Sequence, residues 1–147
     1  MSLSTPEILT AYDAVRSDKS PTNWLLLGNA TPSSSSQQLT LKATGSGGIP
    51  ELITHLQPDE VAYAYVRVQY ANDAESVRVK FALIIWIGEQ TRVMRKARVS
   101  IESGEVKKVL AHHSVTVDAG EVRDVDEEEI VRRLRKAGGA DYNGGRG

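Results

Sequence analysis

The chain has 147 residues, with 18 basic and 19 acidic side chains and no cysteine, so its formal net charge is -1. This length, together with an apolar share of 40% and a charged share of 25%, predicts one globular domain rather than a disordered chain. The lack of cysteine excludes disulfides and thiolate metal sites, and no apolar run is long enough to cross a membrane.

The first half of the chain predicts a helix, two strands and a short helix. Thr5 and Pro6 suit the start of a helix, and the apolar residues that follow recur at helical spacing. The run Ser33 to Ser36 is typical of a hairpin turn between two strands. We predict, in chain order, a helix over Pro6 to Arg16, strands over Trp24 to Leu27 and Gln38 to Ala43, and a short helix over Ile49 to Leu56.

The second half begins with the densest strand signal. The segment Glu60 to Tyr70 alternates so that one face is wholly apolar, and Val77 to Gly88 becomes continuously apolar, as a central strand does. These two segments predict a long antiparallel hairpin. We further predict a helix over Thr91 to His112 that is broken near Ser100 to Gly104, a strand over Ser114 to Asp118, and a last helix that begins at Asp126 and ends at Gly138 and Gly139.

The order of these elements predicts the fold class. Strands with helices before, between and after them suit an α/β (α+β) domain, with a central mixed β-sheet flanked by helices on both faces. We expect a single domain over residues 1–142 and a flexible C-terminal tail over residues 143–147.

The charges are distributed unevenly along the chain. Residues 92–108 carry six basic and two acidic side chains, whereas residues 118–129 carry seven acidic side chains and one basic side chain. Four further cations follow at Arg132, Arg133, Arg135 and Lys136. A protein charged in this way can bind an acidic partner through one face. The alternative is that these segments are ordinary solvated faces.

The sequence offers little catalytic or metal chemistry. The run Gly45 to Gly48 lacks the Lys-Ser/Thr ending of a phosphate-binding loop. His112 and His113 diverge by about 100 degrees on a helix, and His55 lies far away in sequence, so no metal motif results. We expect no catalytic residues, no metal, no cofactor, and neither nucleic-acid nor membrane binding. The N-terminus lacks the features of a secretory signal, which predicts a cytoplasmic protein.

The chain resembles the coactosin group of the actin-depolymerising factor homology (ADF-H) family at two long strings, KFALIIWIGE (Lys80 to Glu89) and LRKAGGADY (Leu134 to Tyr142). The resemblance extends from AYDAVRSD (Ala11 to Asp18) through the last helix. It implies a monomeric, non-enzymatic protein of the cytoskeleton that binds the side of filamentous actin.

The resemblance also implies which residues bind actin. Lys80 matches the lysine immediately before the FALI strand on which filament binding in this group depends, and Arg78 lies on the same strand face. Arg95, Lys96 and Arg98 fall where the long helix of the family begins, an element that commonly meets actin. We therefore expect these cations to form one actin-binding surface, with Lys80 on the same side as the start of that helix. Without the resemblance, Lys80 is an ordinary lysine at a strand edge.

A second hypothesis keeps the fold and changes the function class. Lys136 resembles a lysine at the end of the family's final helix, in a region linked to a partner enzyme in vertebrates. The domain would then be a scaffold or chaperone-like partner of another cytosolic protein, docking through Arg135, Lys136 and the tail. A third possibility, a small-molecule enzyme, requires a polar pocket that the sequence does not reveal. One departure concerns Val77 and Val79, which occupy a stretch that is more polar and basic in the coactosin group and so predict weaker filament binding.

Overall fold

The computed structural model describes residues 5–29, 39–71 and 76–144, with side chains up to Ala137. Within these ranges the helices are α1 (Pro6–Arg16), α2 (Gly48–Leu52), α3 (Val93–Lys96), α4 (Val99–Val109) and α5 (Glu127–Gly144). The strands are β1 (Trp24–Gly28), β2 (Thr40–Gly45), β3 (Val61–Ala71), β4 (Val77–Ile87) and β5 (Val115–Ala119). Short 3-10 turns cover Ile53–His55 and Val122–Asp124. Every predicted helix and strand is present, and the differences lie at their ends and at the break within the long helix.

The five strands form one mixed sheet in the order β2-β1-β3-β4-β5. All neighbouring strands are antiparallel except β4 and β5, which run parallel. β3 and β4 pair along their whole length, from Val61 opposite Ile87 to Ala71 opposite Val77, which confirms the predicted hairpin. The predicted fold class is confirmed as well, because helices cover both faces of this sheet.

Each face of the sheet has its own hydrophobic core, because successive side chains of a strand point to opposite faces. Tyr63 and Tyr65 of β3 pack with α1 and α4 on one face, here called the α1/α4 face. The alternate residues of β3, such as Val66, pack with α2 and α5 on the α2/α5 face. Trp24 and Trp86 are buried on that second face. Because both faces of the sheet are covered, side chains that contact a partner must lie at the ends of the sheet or on the outer sides of the helices.

The first helix begins and ends where local signals predict. Thr5 Oγ1 accepts a hydrogen bond from the Ile8 N–H at 3.4 Å, which caps the helix start. The other end is held by Arg67, whose Nη1 donates to Val15 O at 3.0 Å and whose Nη2 donates to Ser20 O at 2.8 Å. Arg67 is therefore a structural cation that joins α1 to β3.

The break in the long helix is not where it was predicted. It falls at Ala97 and Arg98, between α3 and α4, and the weak segment Ser100 to Gly104 is helical. Gly104 continues α4 because a glycine inside a helix costs only about 1 kcal/mol, which packing elsewhere in the helix offsets. The position of the break therefore has a cause outside local helix propensity.

The predicted end of the last helix is wrong too. α5 passes through Gly138 and Gly139 and ends at Gly144, so the predicted start of the tail at residue 143 lies inside the helix. Residues 145–147 and the predicted turn at Ser33 to Ser36 lie outside the described residues. No helix in the described ranges is long and apolar enough to span a membrane.

Candidate functional site

Arg78 and Lys80 lie near the start of β4, on the α2/α5 face of the sheet. The residues of β4 with the same parity, Ala82 and Ile84, pack in the core with Leu134 of α5. Arg78 is exposed and Lys80 is half-buried. Both are held on a strand that is paired along its whole length, so their positions are rigid.

The middle of α5 adds two more cations. Arg135 Nη2 donates to Ala71 O at 2.9 Å, and its guanidinium carbon lies 5.6 Å from the centre of the Tyr70 ring. Tyr70 is the cross-strand partner of Arg78, so Arg78 and Arg135 are neighbours. Lys136 follows Arg135 in α5 and is exposed.

We call Arg78, Lys80, Arg135 and Lys136 the hairpin surface. The sequence assigned the first two to actin and the last two to a different partner. The structure places Arg135 beside Arg78, so the two predicted sites adjoin each other.

The loop between α4 and β5 borders Lys80. Lys80 lines a small cavity of about 170 Å³ with His112 and His113. The His112 N–H donates to the Tyr12 hydroxyl at 3.1 Å, and the Tyr65 hydroxyl donates to His112 O at 2.5 Å. Burial raises the pKa of Tyr65, so that its hydroxyl remains a donor. Among the described residues, no group of three His, Cys, Asp or Glu side chains is placed to hold a metal.

Arg95 is not part of any exposed surface, which corrects its prediction as an actin contact. Only 6% of Arg95 is exposed. Its Nη2 lies 2.7 Å from Oε1 of Glu102, and its Nε donates to Asn29 Oδ1 at 2.8 Å. Its positive charge is therefore paired with Glu102 inside the protein.

The ion pair belongs to a larger buried network. The Tyr63 hydroxyl donates to the same Glu102 Oε1 at 2.8 Å. Burial and the neighbouring carboxylate both raise the pKa of Tyr63, so it stays a donor. Two buried atoms of this network, Arg95 Nη1 and Glu102 Oε2, have no hydrogen-bond partner among the described residues. A buried polar atom without a partner costs roughly 1–3 kcal/mol, so this network is only partly satisfied.

Large apolar side chains are exposed above this network. Val93 is 77% exposed, Met94 79% and Ile101 77%. Lys96 is exposed beside them, whereas Arg98 is half-buried. We call Val93, Met94, Lys96 and Ile101 the helix-break surface.

Sequence reasoning missed these apolar residues, although one signal was available. The inward positions of α4 and the turn after it are Val99, Glu102, Val106 and Leu110, spaced as one face of a helix. Ile101 is out of phase with that face, and Glu102 is a charged residue within it. A helical projection of this segment would have indicated both the exposed isoleucine and the buried carboxylate.

The two surfaces lie at opposite ends of the sheet and on opposite faces. Lys80 and Ile87 are seven residues apart on β4, which is about 23 Å along a strand. Arg95 bonds to Asn29, which follows Gly28 at the Ile87 end, and α4 packs on the α1/α4 face. The predicted single cluster of cations is therefore wrong, because Lys80 and the start of the long helix do not share a side.

The helix-break surface is held close to the end of β4 by backbone contacts. The Gly88 N–H donates to Glu60 O at 3.0 Å, and the Gln90 N–H donates to Pro58 O at 2.7 Å. A Cβ at Gly88 would lie 2.3 Å from Pro58 O, so only glycine allows this approach. The chain therefore enters α3 from a fixed direction.

Residues 1–135 match the model of the family described as cofilin/tropomyosin-type actin-binding protein. The chain belongs to this family, and its five-stranded mixed sheet between helix layers is the family's fold.

Relatives of the chain include coactosins. Coactosin of Dictyostelium discoideum is 39% identical over 143 residues, which are 97% of this chain and 94% of that protein. The crystal structure of coactosin from Entamoeba histolytica superposes with a TM-score of 0.83 at 30% identity, covering 92% of this chain and 96% of that one. The solution structure of mouse coactosin, described as an actin filament binding protein, has a TM-score of 0.71 at 29% identity, covering 92% and 90%.

Proposed function

We propose that this chain binds the side of actin filaments in the manner of a coactosin, using the helix-break surface and the hairpin surface together. The observation that carries the proposal is the exposed apolar group Val93, Met94 and Ile101 in a member of an actin-binding family. Mouse coactosin is described as an actin filament binding protein, which supports filaments as the target. Binding would affect cytoskeletal dynamics by occupying the filament side.

The helix-break surface supplies the apolar part of the contact. Apolar area removed from water contributes roughly 25 cal/mol per Å², and a few well-buried side chains dominate most interfaces. Val93 and Met94 are neighbours on one helical turn, and both are more than three-quarters exposed. Lys96 adds a positive charge at the edge, which suits the acidic surface of actin.

The hairpin surface supplies the charged part. Arg78, Lys80 and Arg135 stand on a paired strand and on a helix that packs against it. An exposed ion pair contributes roughly 0.2–1 kcal/mol, so these residues direct approach and orientation more than they supply affinity.

The separation of the two surfaces favours a filament over a single actin molecule. They lie at opposite ends of the sheet and on opposite faces, so one flat contact does not reach both. A filament presents successive subunits side by side, which offers a separate target to each surface. This geometry supports filament binding without excluding weaker binding of the monomer.

Co-sedimentation with filamentous actin across a salt series tests the proposal. We expect clear pelleting at low salt that weakens toward physiological salt, because charge contributes to approach. Lys80→Ala should weaken pelleting, and Lys19→Ala, which removes an exposed lysine in the loop after α1, is the matched control. Failure of the wild-type protein to pellet at any salt concentration would overturn the proposed function.

We further propose that the chain is a cytoplasmic monomer with no catalytic role, metal or cofactor. Membership of an actin-binding family supports this. Size-exclusion chromatography with light scattering tests the monomeric state. A mass near twice 16.0 kDa would contradict it.

A second candidate function, docking of another cytosolic protein, is favoured by one observation. Lys136 lines an open groove of about 460 Å³ with Val115 and Arg132. Because α5 extends to Gly144, deleting the tail also removes helix, and substitution is the cleaner test. The result that would favour this function is a Lys136→Ala variant that still binds filaments but no longer binds a partner protein.

A further inference from the structure

The buried ion pair of Arg95 and Glu102 spans the break in the long helix. Arg95 belongs to α3 and Glu102 to α4, so the pair joins the two pieces across Ala97 and Arg98. Arg95 is the buried residue of α3, whereas Val93 and Met94 of the same turn are exposed. Apolar burial therefore does not hold α3 in place, and the guanidinium of Arg95 does.

The partners of this pair come from two other parts of the fold. Asn29 follows β1 and receives a hydrogen bond from Arg95 Nε at 2.8 Å. Tyr63 lies in β3 and donates to Glu102 Oε1 at 2.8 Å. These two hydrogen bonds fix the orientation of α3 and of the start of α4 relative to the sheet, which is the rigid part of the molecule.

The pair also lies on the side of α4 that packs against the sheet, opposite the exposed Ile101. Successive residues of a helix are rotated by about 100 degrees, so anchoring Glu102 toward the sheet turns its neighbour Ile101 outward. Ile101 is 77% exposed, and Glu102 is only 2% exposed. Val99, Val106 and Leu110 share the inward side of α4 with Glu102, and the ion pair links that side of α4 to α3.

Stability alone does not explain the network. A buried ion pair is often no more stabilising than a pair of apolar residues of similar volume. Here the pair also leaves Arg95 Nη1 and Glu102 Oε2 without hydrogen-bond partners among the described residues. The network is better explained by the geometry that it imposes.

We infer that Arg95 and Glu102 are positioning residues that hold Val93, Met94 and Ile101 in the orientation in which the helix-break surface docks on actin. The inference rests on the proposed function, since it concerns the same surface. Neither residue touches the partner, because both are buried.

The experiment replaces both members of the pair with apolar residues, as Arg95→Met with Glu102→Met. This double variant keeps the net charge, so long-range attraction to actin is unchanged. We expect a melting temperature within about 3 °C of the wild type, because the apolar pair removes two unpartnered atoms while it takes away the acceptor of the Tyr63 hydroxyl. Filament affinity in co-sedimentation should nevertheless fall at least tenfold.

An actin-independent readout accompanies the binding measurement. The amides of Lys96 and Ala97 donate to the carbonyls of Arg92 and Val93, which are the hydrogen bonds of α3. Their hydrogen exchange should be at least tenfold faster in the double variant, because α3 has lost its anchor. Tyr63→Phe, which removes one donor to Glu102, should give smaller changes in both readouts.

The matched control is Glu129→Gln with Arg132→Gln, which removes an exposed ion pair of α5 and also keeps the net charge. It should not change the exchange of the α3 amides. Wild-type affinity with unchanged α3 exchange in the Arg95→Met, Glu102→Met variant would overturn the inference. So would a large fall in its melting temperature, because the pair would then be a simple stabiliser.

The two proposals can fail separately. If the wild-type protein does not bind filaments, the proposed function fails, and hydrogen exchange then decides the inference alone. Faster exchange of the α3 amides in the double variant would support the positioning role. Unchanged exchange would overturn it.

Discussion

The helix-break surface and the hairpin surface use arginine in opposite ways. On the hairpin surface Arg78 is exposed on a paired strand, and the strand itself fixes its position. On the helix-break surface Arg95 is buried, and the residues that it positions are apolar. A cation in a basic stretch can therefore be a contact or an anchor, and burial distinguishes the two.

The largest expected difference between the two regions is in stability. Arg95→Met alone leaves the Glu102 carboxylate buried without its cation, which should lower the free energy of unfolding by about 3–5 kcal/mol. Lys80→Ala removes a half-buried cation near a strand end and should change it by about 0.5 kcal/mol. Urea unfolding of both variants measures the contrast, and equal losses would show that Arg95 is not an anchor.

The next largest effect concerns binding through apolar residues. Val93→Ser with Met94→Ser should lower filament affinity at least tenfold, or about 1.4 kcal/mol, because these side chains form the centre of the proposed contact. Their exposure predicts a change in unfolding free energy within about 0.5 kcal/mol. Co-sedimentation measures the affinity, with Val122→Ser as the control for loss of a partly exposed valine elsewhere. Equal pelleting of the double variant and the wild type would remove the helix-break surface from the interface.

A smaller effect separates the surfaces by their response to salt. Arg78→Ala with Lys80→Ala should lower affinity about threefold to tenfold at low salt and less at physiological salt, since exposed charges are screened. The Val93→Ser, Met94→Ser variant should keep the salt dependence of the wild type. Co-sedimentation at about 50 mM and 150 mM salt distinguishes the two patterns. The same salt dependence in both variants would contradict the division between charged and apolar contacts.

Gly104 offers a test of α4, the helix that carries Ile101 of the helix-break surface. A Cβ at this position meets nothing within 4 Å, so Gly104→Ala should stabilise the protein by about 1 kcal/mol through better helix propensity. Thermal unfolding should show a rise of a few degrees. A lower melting temperature would mean that the helix at this position is not as regular as the structure has it.

The smallest effect is a pH dependence near the helix-break end of the sheet. Burial raises the pKa of Glu60 above its ordinary value of 4.5, so the fold favours the protonated carboxyl. The resulting stabilisation is complete below about pH 4.5 and is lost as the pH rises through the raised pKa. Glu60→Gln, which stays neutral, should therefore gain stability relative to the wild type between pH 4 and pH 7. Urea unfolding at both pH values measures this, with the exposed neighbour Asp59→Asn expected to show less pH dependence.

Much of the fold could be predicted because the relevant signals are local. The cap at Thr5 and the spacing that follows it predicted α1 with its correct ends, and the alternation in β3 predicted the hairpin. The end of α5 could not be predicted in this way. Gly138 and Gly139 are common after a helix, yet α5 continues to Gly144.

The candidate site was predicted only in part. Lys80, Arg78 and Lys96 lie at surfaces, as expected, although their role in binding stays a prediction. The prediction that Arg95 is an exposed contact was wrong, because nothing in its local sequence indicates burial. Its partner Glu102 is seven residues away, across a helix break that the sequence placed elsewhere.

Sequence alone determined the helices, the strands and the balance of charge, because caps, alternation and turn residues act over a few neighbouring positions. Tertiary structure alone decided which cation of the basic stretch is buried. Arg95 meets Asn29 across 66 residues, and Tyr63 meets Glu102 across 39. Such contacts exist only once the sheet has brought distant segments together, so no local pattern encodes them.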